Sequence, residues 1–228
     1  MKNKNLIGII ILVLLFNWNY GSSQNYFEGE MYFHIDYELI DKKISKNNLI
    51  KQMGDSVVAY LKEDKFVLLH NSKGKLGKRK TIFLLNEGFN YVDYEKSDTI
   101  MRFNLNKISG KLLNFNRNLH ENKPILNELC ESITIEFEST NKEDFFQKHK
   151  GKYYFSANNY KLNPKYYRNY ESNFWNLFVK ESTSISLRNE VEYYPLFKSI
   201  QQVYGTIKRK IPDSVFQLNK NKYIKIMK

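Results

Sequence analysis

The sequence predicts an α+β domain: a curved antiparallel sheet of about seven to ten strands, with about two or three short helices packed on its concave face. Three observations point there. Apolar and polar residues alternate with a period of two through most of the chain, as half-buried strands require. Turn signals divide these stretches so closely that neighbouring strands must pair as hairpins, and a sheet of hairpins twists and curls. Helical spacings enter only between strands, mostly in the second half. The single cysteine, Cys130, excludes an internal disulfide, a Cys-ligated zinc cluster and a paired redox motif. Stability must come from packing, for which 17 Tyr, 16 Phe and 2 Trp provide the area.

Lys2 and Lys4, the unbroken apolar run Leu6 to Phe16 and the small residues Gly21, Ser22 and Ser23 mark residues 1–24 as a secretory signal peptide. A helix over that run reaches only about 16 Å, roughly half the hydrocarbon thickness, so a membrane span is the weaker reading. No cysteine follows it to accept a lipid. The expectation is an exported, soluble chain of one domain, residues 25–228, in the periplasm and at most peripheral to the outer membrane.

That domain opens on "FEGEMYFHIDYEL", where Phe27, Gly29, Met31, Phe33, Ile35, Tyr37 and Leu39 alternate with Glu28, Glu30, Tyr32, His34, Asp36 and Glu38. This is a strand with one apolar and one acidic face. Ser45 caps a short helix with Leu49, Ile50 and Met53 on one side, ending at Gly54. Val57 to Leu61 and Phe66 to Leu69 flank a polar turn and form a hairpin; Ile82 to Leu85 and Phe89 to Tyr94 form a second around Asn86, Glu87 and Gly88. Met101, Phe103 and Leu105, then Ile133, Ile135 and Phe137, give further strands.

In the second half, Thr140 and Glu143 have capping-box spacing ahead of Phe145, Phe146 and His149, so a helix ending at Gly151 is expected. Tyr153 to Ser156 reads as extended, and "NPKYYRNY" bends at Pro164. Phe174, Trp175, Leu177 and Phe178 after Ser172 predict another amphipathic helix. Ile185 to Tyr193 and Ile200 to Ile207 pair as the last long strands, and the basic end "NKNKYIKIMK" is either a frayed tail or an edge strand.

"FEG" after a signal peptide, the stretch "ILNELCESITIEF", then "YYFS", "NPKYY", "FW" and "DSVFQL" together resemble an exported family of Bacteroidetes-type bacteria. The resemblance covers most of residues 27–218. Asn127 stands where that family usually carries a glycine before the cysteine. The family is similar in fold to the LolA/LolB lipoprotein carriers. The resemblance therefore implies a half-open antiparallel barrel closed by helices and a cavity for a lipid or other apolar ligand; it implies no catalytic residue.

The net charge of +12 falls by two when Lys2 and Lys4 leave with the signal peptide. An exported chain seldom meets nucleic acid, so the partners such a surface would favour are an anionic membrane surface or an acidic envelope protein. Lysines spread through the whole chain are the plainer account of the excess. "GKLGKRKT" has the flavour of a phosphate loop, but Lys78 precedes Arg79 instead of Ser or Thr, and the glycines are too close. What remains there is a docking patch of Lys73, Lys75, Lys78, Arg79 and Lys80, or a solvated loop.

Glu28, Glu30, His34 and Asp36 could imitate a carboxylate pair or a metal site, but a water-facing strand surface accounts for them more simply. His70, His120 and His149 show no ligand spacing, and Cys130 and the serines lack an activating motif. No catalytic residue, metal or cofactor is expected. Any function then lies on the apolar face, lined by Met31, Phe33, Ile35, Phe103, Leu105, Ile133, Ile135, Phe137, Leu187 and Val191, with Phe174, Trp175 and Phe178 as a helical lid. Alternation alone does not say whether that interior is hollow, as in a carrier, or filled, as in an interaction module.

Overall fold

The computed structural model describes residues 26–108, 110–142 and 146–227; the expected signal peptide lies outside them. Twelve strands form one open sheet in the order β12-β6-β5-β4-β3-β2-β1-β11-β10-β9-β8-β7. The strands are β1 Gly29–Leu39, β2 Ser56–Leu61, β3 Lys65–His70, β4 Arg79–Leu84, β5 Phe89–Tyr94, β6 Thr99–Asn104, β7 Lys111–Ile125, β8 Glu128–Glu138, β9 Lys148–Ser156, β10 Ser186–Tyr194, β11 Phe197–Lys208 and β12 Tyr223–Ile226. All neighbours are antiparallel except β12, which runs parallel to β6. The helices are α1 Lys46–Met53, α2 Pro164–Tyr167 and α3 Trp175–Ser182, with single 3-10 turns at Ser172–Phe174 and Asp213–Phe216.

Local chemistry accounts for the elements the sequence announced. The Ser45 hydroxyl accepts the Asn48 N–H, and the Gly54 N–H closes on the Ile50 carbonyl, so α1 starts and stops on its predicted caps. Gly88 turns the second hairpin at φ +71°, a conformation a side chain disfavours. Asn163 caps α2, with Pro164 in its first turn.

The apolar faces of β1, β2, β8, β9 and β10 meet α2 and α3 in the main core, which holds Met31, Phe33, Ile133, Ile135, Phe155 and Phe178. A second, smaller core lies on the opposite, outer face of the sheet. There Val67, Ile82, Tyr91 and Ile100 are covered by Ile211 and Phe216 of the C-terminal segment. That segment leaves β11, crosses the outer face and adds β12 to the β6 edge. "NKNKYIKIMK" is thus an edge strand, not a frayed tail.

Two expectations change. The sheet has twelve strands, more than the seven to ten expected, because β7 and β12 are edge strands with little alternation. The helix expected to end at Gly151 is overturned in its second half: His149 and Gly151 belong to β9, while Glu143 and Phe145 lie outside the described residues. Gly151 has a different use. A Cβ there would collide with the Tyr153 ring and hydroxyl, so its absence lets Tyr153 fold back along its own strand.

Candidate ligand-binding site

The register fixes which side chains face inward. Arg79, His70, Val57 and Phe33 stand side by side across β4, β3, β2 and β1. Tyr153, Asn189, Gln201 and Ile35 do the same across β9, β10, β11 and β1. Phe33 of the first row and Tyr153, Asn189 and Gln201 of the second line a pocket of about 310 Å³ closed by residues of α2 and α3. β1, β3 and β4 contribute Met31, Phe33, Phe66, Leu68 and Phe83 to it, β10 and β11 contribute Asn189, Tyr193, Ser199 and Gln201, and α3 contributes Trp175. The volume is near the lower limit for small-molecule sites, about 300 to 1,000 Å³.

Four tyrosines border this space: Tyr153, Tyr167, Tyr170 and Tyr193. Burial pushes the ionisation of all four up, so they are neutral hydroxyls throughout the physiological range. No described residue takes or gives a hydrogen bond at those hydroxyls. Tyr37, by contrast, donates to the Gly54 carbonyl at 2.7 Å.

Of the expected lining, Met31, Phe33, Trp175 and Val191 border the pocket, and Ile35, Phe103, Leu105, Ile133, Ile135, Phe137, Leu187, Phe174 and Phe178 do not. Ile133 and Ile135 are consumed by the core. Phe178 is sandwiched among Tyr153, Phe155 and Trp175. Phe103 and Phe137 border a separate cleft of about 630 Å³ with His149, Asn173 and Ile226. Phe174 packs on Phe137. The residues that sequence reasoning missed are Phe66, Leu68 and Phe83, whose strands are apolar on both faces, and Tyr167 and Tyr170, read only as part of a bend.

Of the expected docking patch, Lys78, Arg79 and Lys80 border one cleft of about 610 Å³ with His70, Asp93, Glu95 and Lys222, while Lys73 and Lys75 do not. Lys73, Lys75 and Lys78 are exposed on the loop before β4. Lys80 points to the outer face and donates to the Gln217 carbonyl at 3.1 Å, while Arg79 is on the inner face. One contiguous patch of all five does not form.

The acidic face of β1 is not simply solvated. Glu30 is buried and holds Arg209 and the Tyr32 hydroxyl, and the Tyr32 hydrogen bond, with help from Arg209, keeps its carboxyl below the usual range. Glu28 accepts the Ile211 N–H at 2.8 Å. Both acids therefore fasten the start of the C-terminal strap, and His34 is exposed. Among the described residues, no three His, Cys, Asp or Glu side chains converge as a metal site. Burial raises the Cys130 thiol to about 11, which keeps it protonated at neutral pH. No described helix is long and apolar enough to cross a membrane.

No family model and no curated protein matches this sequence. Among solved structures, the chain is similar to an uncharacterized conserved protein from Thermus thermophilus, at 9% identity and TM-score 0.39 over 88% of this chain and 91% of that one. It is also similar to a LolA superfamily protein from Nitrosomonas europaea, at 10% identity and TM-score 0.39 over 84% of this chain and 90% of that one. At that level of likeness neither carries a function over.

Proposed function

We propose that this chain is an exported, non-enzymatic binding protein that holds one small, largely apolar ligand between its sheet and the helices α2 and α3. The observation that carries the reading is the pocket of about 310 Å³, lined by aromatic side chains together with a few polar ones. A ligand there would be gripped by Phe33, Phe66, Phe83 and Trp175 and oriented by a few hydroxyls and amides, the usual division of labour in a small-molecule site. Among the described residues that line it, none forms an activated nucleophile or an acid-base pair. Site and address agree with periplasmic carriage of a lipid-derived or other apolar molecule, released near the envelope.

The test is native mass spectrometry of the full chain isolated from a bacterial periplasm without detergent, followed by solvent extraction. Near-stoichiometric recovery of one class of apolar compound, lost in Phe33→Asp with the circular dichroism unchanged, is the expected result. Only traces of mixed lipid on the wild type would overturn the reading.

A second reading, an envelope interaction module, is favoured by the free edge of β7, where Leu112, Leu113 and Leu119 are exposed. An unpaired edge strand with apolar side chains is a template for strand addition. Cross-linking in cells should then capture one discrete partner through β7, and Leu119→Asp should abolish the adduct.

A further inference from the structure

The sheet side of the pocket carries a patch of uncharged hydrogen-bonding groups. Tyr153, Asn189 and Gln201 are cross-strand partners on β9, β10 and β11, and Val191 and Ser199 pair in the next row on the same face. All five line the pocket. A Cβ at Gly151 would collide with the Tyr153 hydroxyl, which places that hydroxyl over Gly151, the cross-strand partner of Val191. Asn189 spends its amide oxygen on the Ser186 hydroxyl at 2.5 Å. Its amide nitrogen, the Gln201 amide and the hydroxyls of Ser199, Tyr153 and Tyr193 make no hydrogen bond with any described residue. None of them is among the polar atoms sealed from solvent without a partner, so each keeps an accessible surface.

Charge is missing from the same lining. Asp, Glu, Lys and Arg make up 26% of the chain, yet no described residue that borders the pocket is one of these or a histidine. Arg79, whose charge Tyr193 feels, borders the separate cleft of Lys78 and Asp93 instead. A carboxylate, phosphate or ammonium drawn into such a site loses its water without meeting a counterion, a far larger cost than a neutral polar group incurs. Aromatic rings such as Trp175, Tyr153 and Phe83 can hold a quaternary ammonium, but that cation leaves every donor and acceptor of the patch unpaired.

We infer that the pocket selects an uncharged amphiphile whose polar end both donates and accepts hydrogen bonds, a carboxamide in the simplest case, seated on Asn189, Gln201 and Ser199. The Asn189 nitrogen donates, the Gln201 amide does both, and the Ser199 and Tyr153 hydroxyls take whichever role is left. The apolar body of the ligand lies against Phe33, Phe83 and Trp175. This inference rests on the pocket reading above and deepens it by naming the ligand's head group.

Calorimetric titration of the full chain at neutral pH with decanamide, 1-decanol, decanoate and decyltrimethylammonium tests it. Decanamide should bind tightest, and the anion and the cation should each bind about tenfold or more weaker than decanol. Gln201→Leu should narrow the gap between decanamide and decanol by about threefold or more, the scale of one net hydrogen bond, and Ser199→Ala should narrow it in the same direction. Because it removes an unpaired amide, Gln201→Leu should melt no lower than the wild type without ligand. Should either variant fail to fold, the ranking of the four probes on the wild type decides alone.

Decanoate or decyltrimethylammonium binding as tightly as decanol, or decanamide binding no tighter than decanol, would overturn the head-group assignment while leaving the pocket reading intact. A preference for decanamide that survives both substitutions would overturn it too, by seating the head group elsewhere. Failure of all four decyl probes would sink both.

Discussion

At the scale of single residues, the chain uses charge to fasten strands to one another. Glu190, on the outer face of β10, receives Arg188 at 2.7 Å and Lys198 at 2.8 Å. Burial alone would raise its carboxyl, but the hydrogen bonds from Lys198 and Arg188 outweigh that and hold it down to about 2. A carboxyl depressed in the folded state contributes stability that is complete above its unfolded value, about 4.3, and is lost as pH falls toward 2. Thermal melting between pH 5 and 2 should therefore drop more steeply for the wild type than for Glu190→Gln, whose curve starts lower and runs flatter. Gly151 makes the opposite demand, for space. Gly151→Ala forces the Tyr153 ring off its strand and should cost about 1 to 3 kcal/mol by urea denaturation, with the loss reduced when Tyr153 is also cut to Ala. Neither role could be read from the sequence: the alternation placed Glu190 on a polar face without its partners, and Gly151 looked like a helix stop.

At the scale of elements, the C-terminal strap is what the pattern concealed. β1 announced itself by strict alternation, and the two hairpins by their turn residues. Val67 and Leu69 on β3, and Ile82 and Leu84 on β4, are apolar on the face opposite Phe66, Leu68 and Phe83, so alternation gives neither face a preference. Both are core. The inner face packs on helices, and the outer face is covered by Ile211 and Phe216, anchored through Glu28 and Glu30. Ile211→Ala should cost about 2 to 5 kcal/mol and Phe216→Ala about 3 to 5, measured by chemical denaturation, although both lie on a segment with almost no regular structure. A loss under about 0.5 kcal/mol would mean that the strap is ornamental. β7 escaped prediction for a complementary reason. As the last strand in the sheet it is wet along most of its length, and a strand without a buried face carries no two-residue signature.

At the scale of the whole molecule, an open twelve-stranded sheet rolled over two short helices leaves an interior that its own side chains do not fill. The fold class was legible because alternation, hairpin turns and caps all agreed. The pocket was legible only in part. Parity identified the inward set on β1, and Met31 and Phe33 reach the space; it could not tell a residue that lines a void from one, such as Ile133 or Ile135, that is spent on packing. That distinction depends on how far facing strands stand apart, which no local pattern encodes.

The most direct test of the central claim is to fill the pocket from within. Ala59 borders it on β2 and is buried. Ala59→Phe should place a ring in the space a ligand would take, so calorimetric binding of 1-decanol should fall by about tenfold or more in a protein that keeps the wild-type circular dichroism. Decanol binding to a folded Ala59→Phe protein with wild-type affinity would contradict the account and put the ligand outside the pocket.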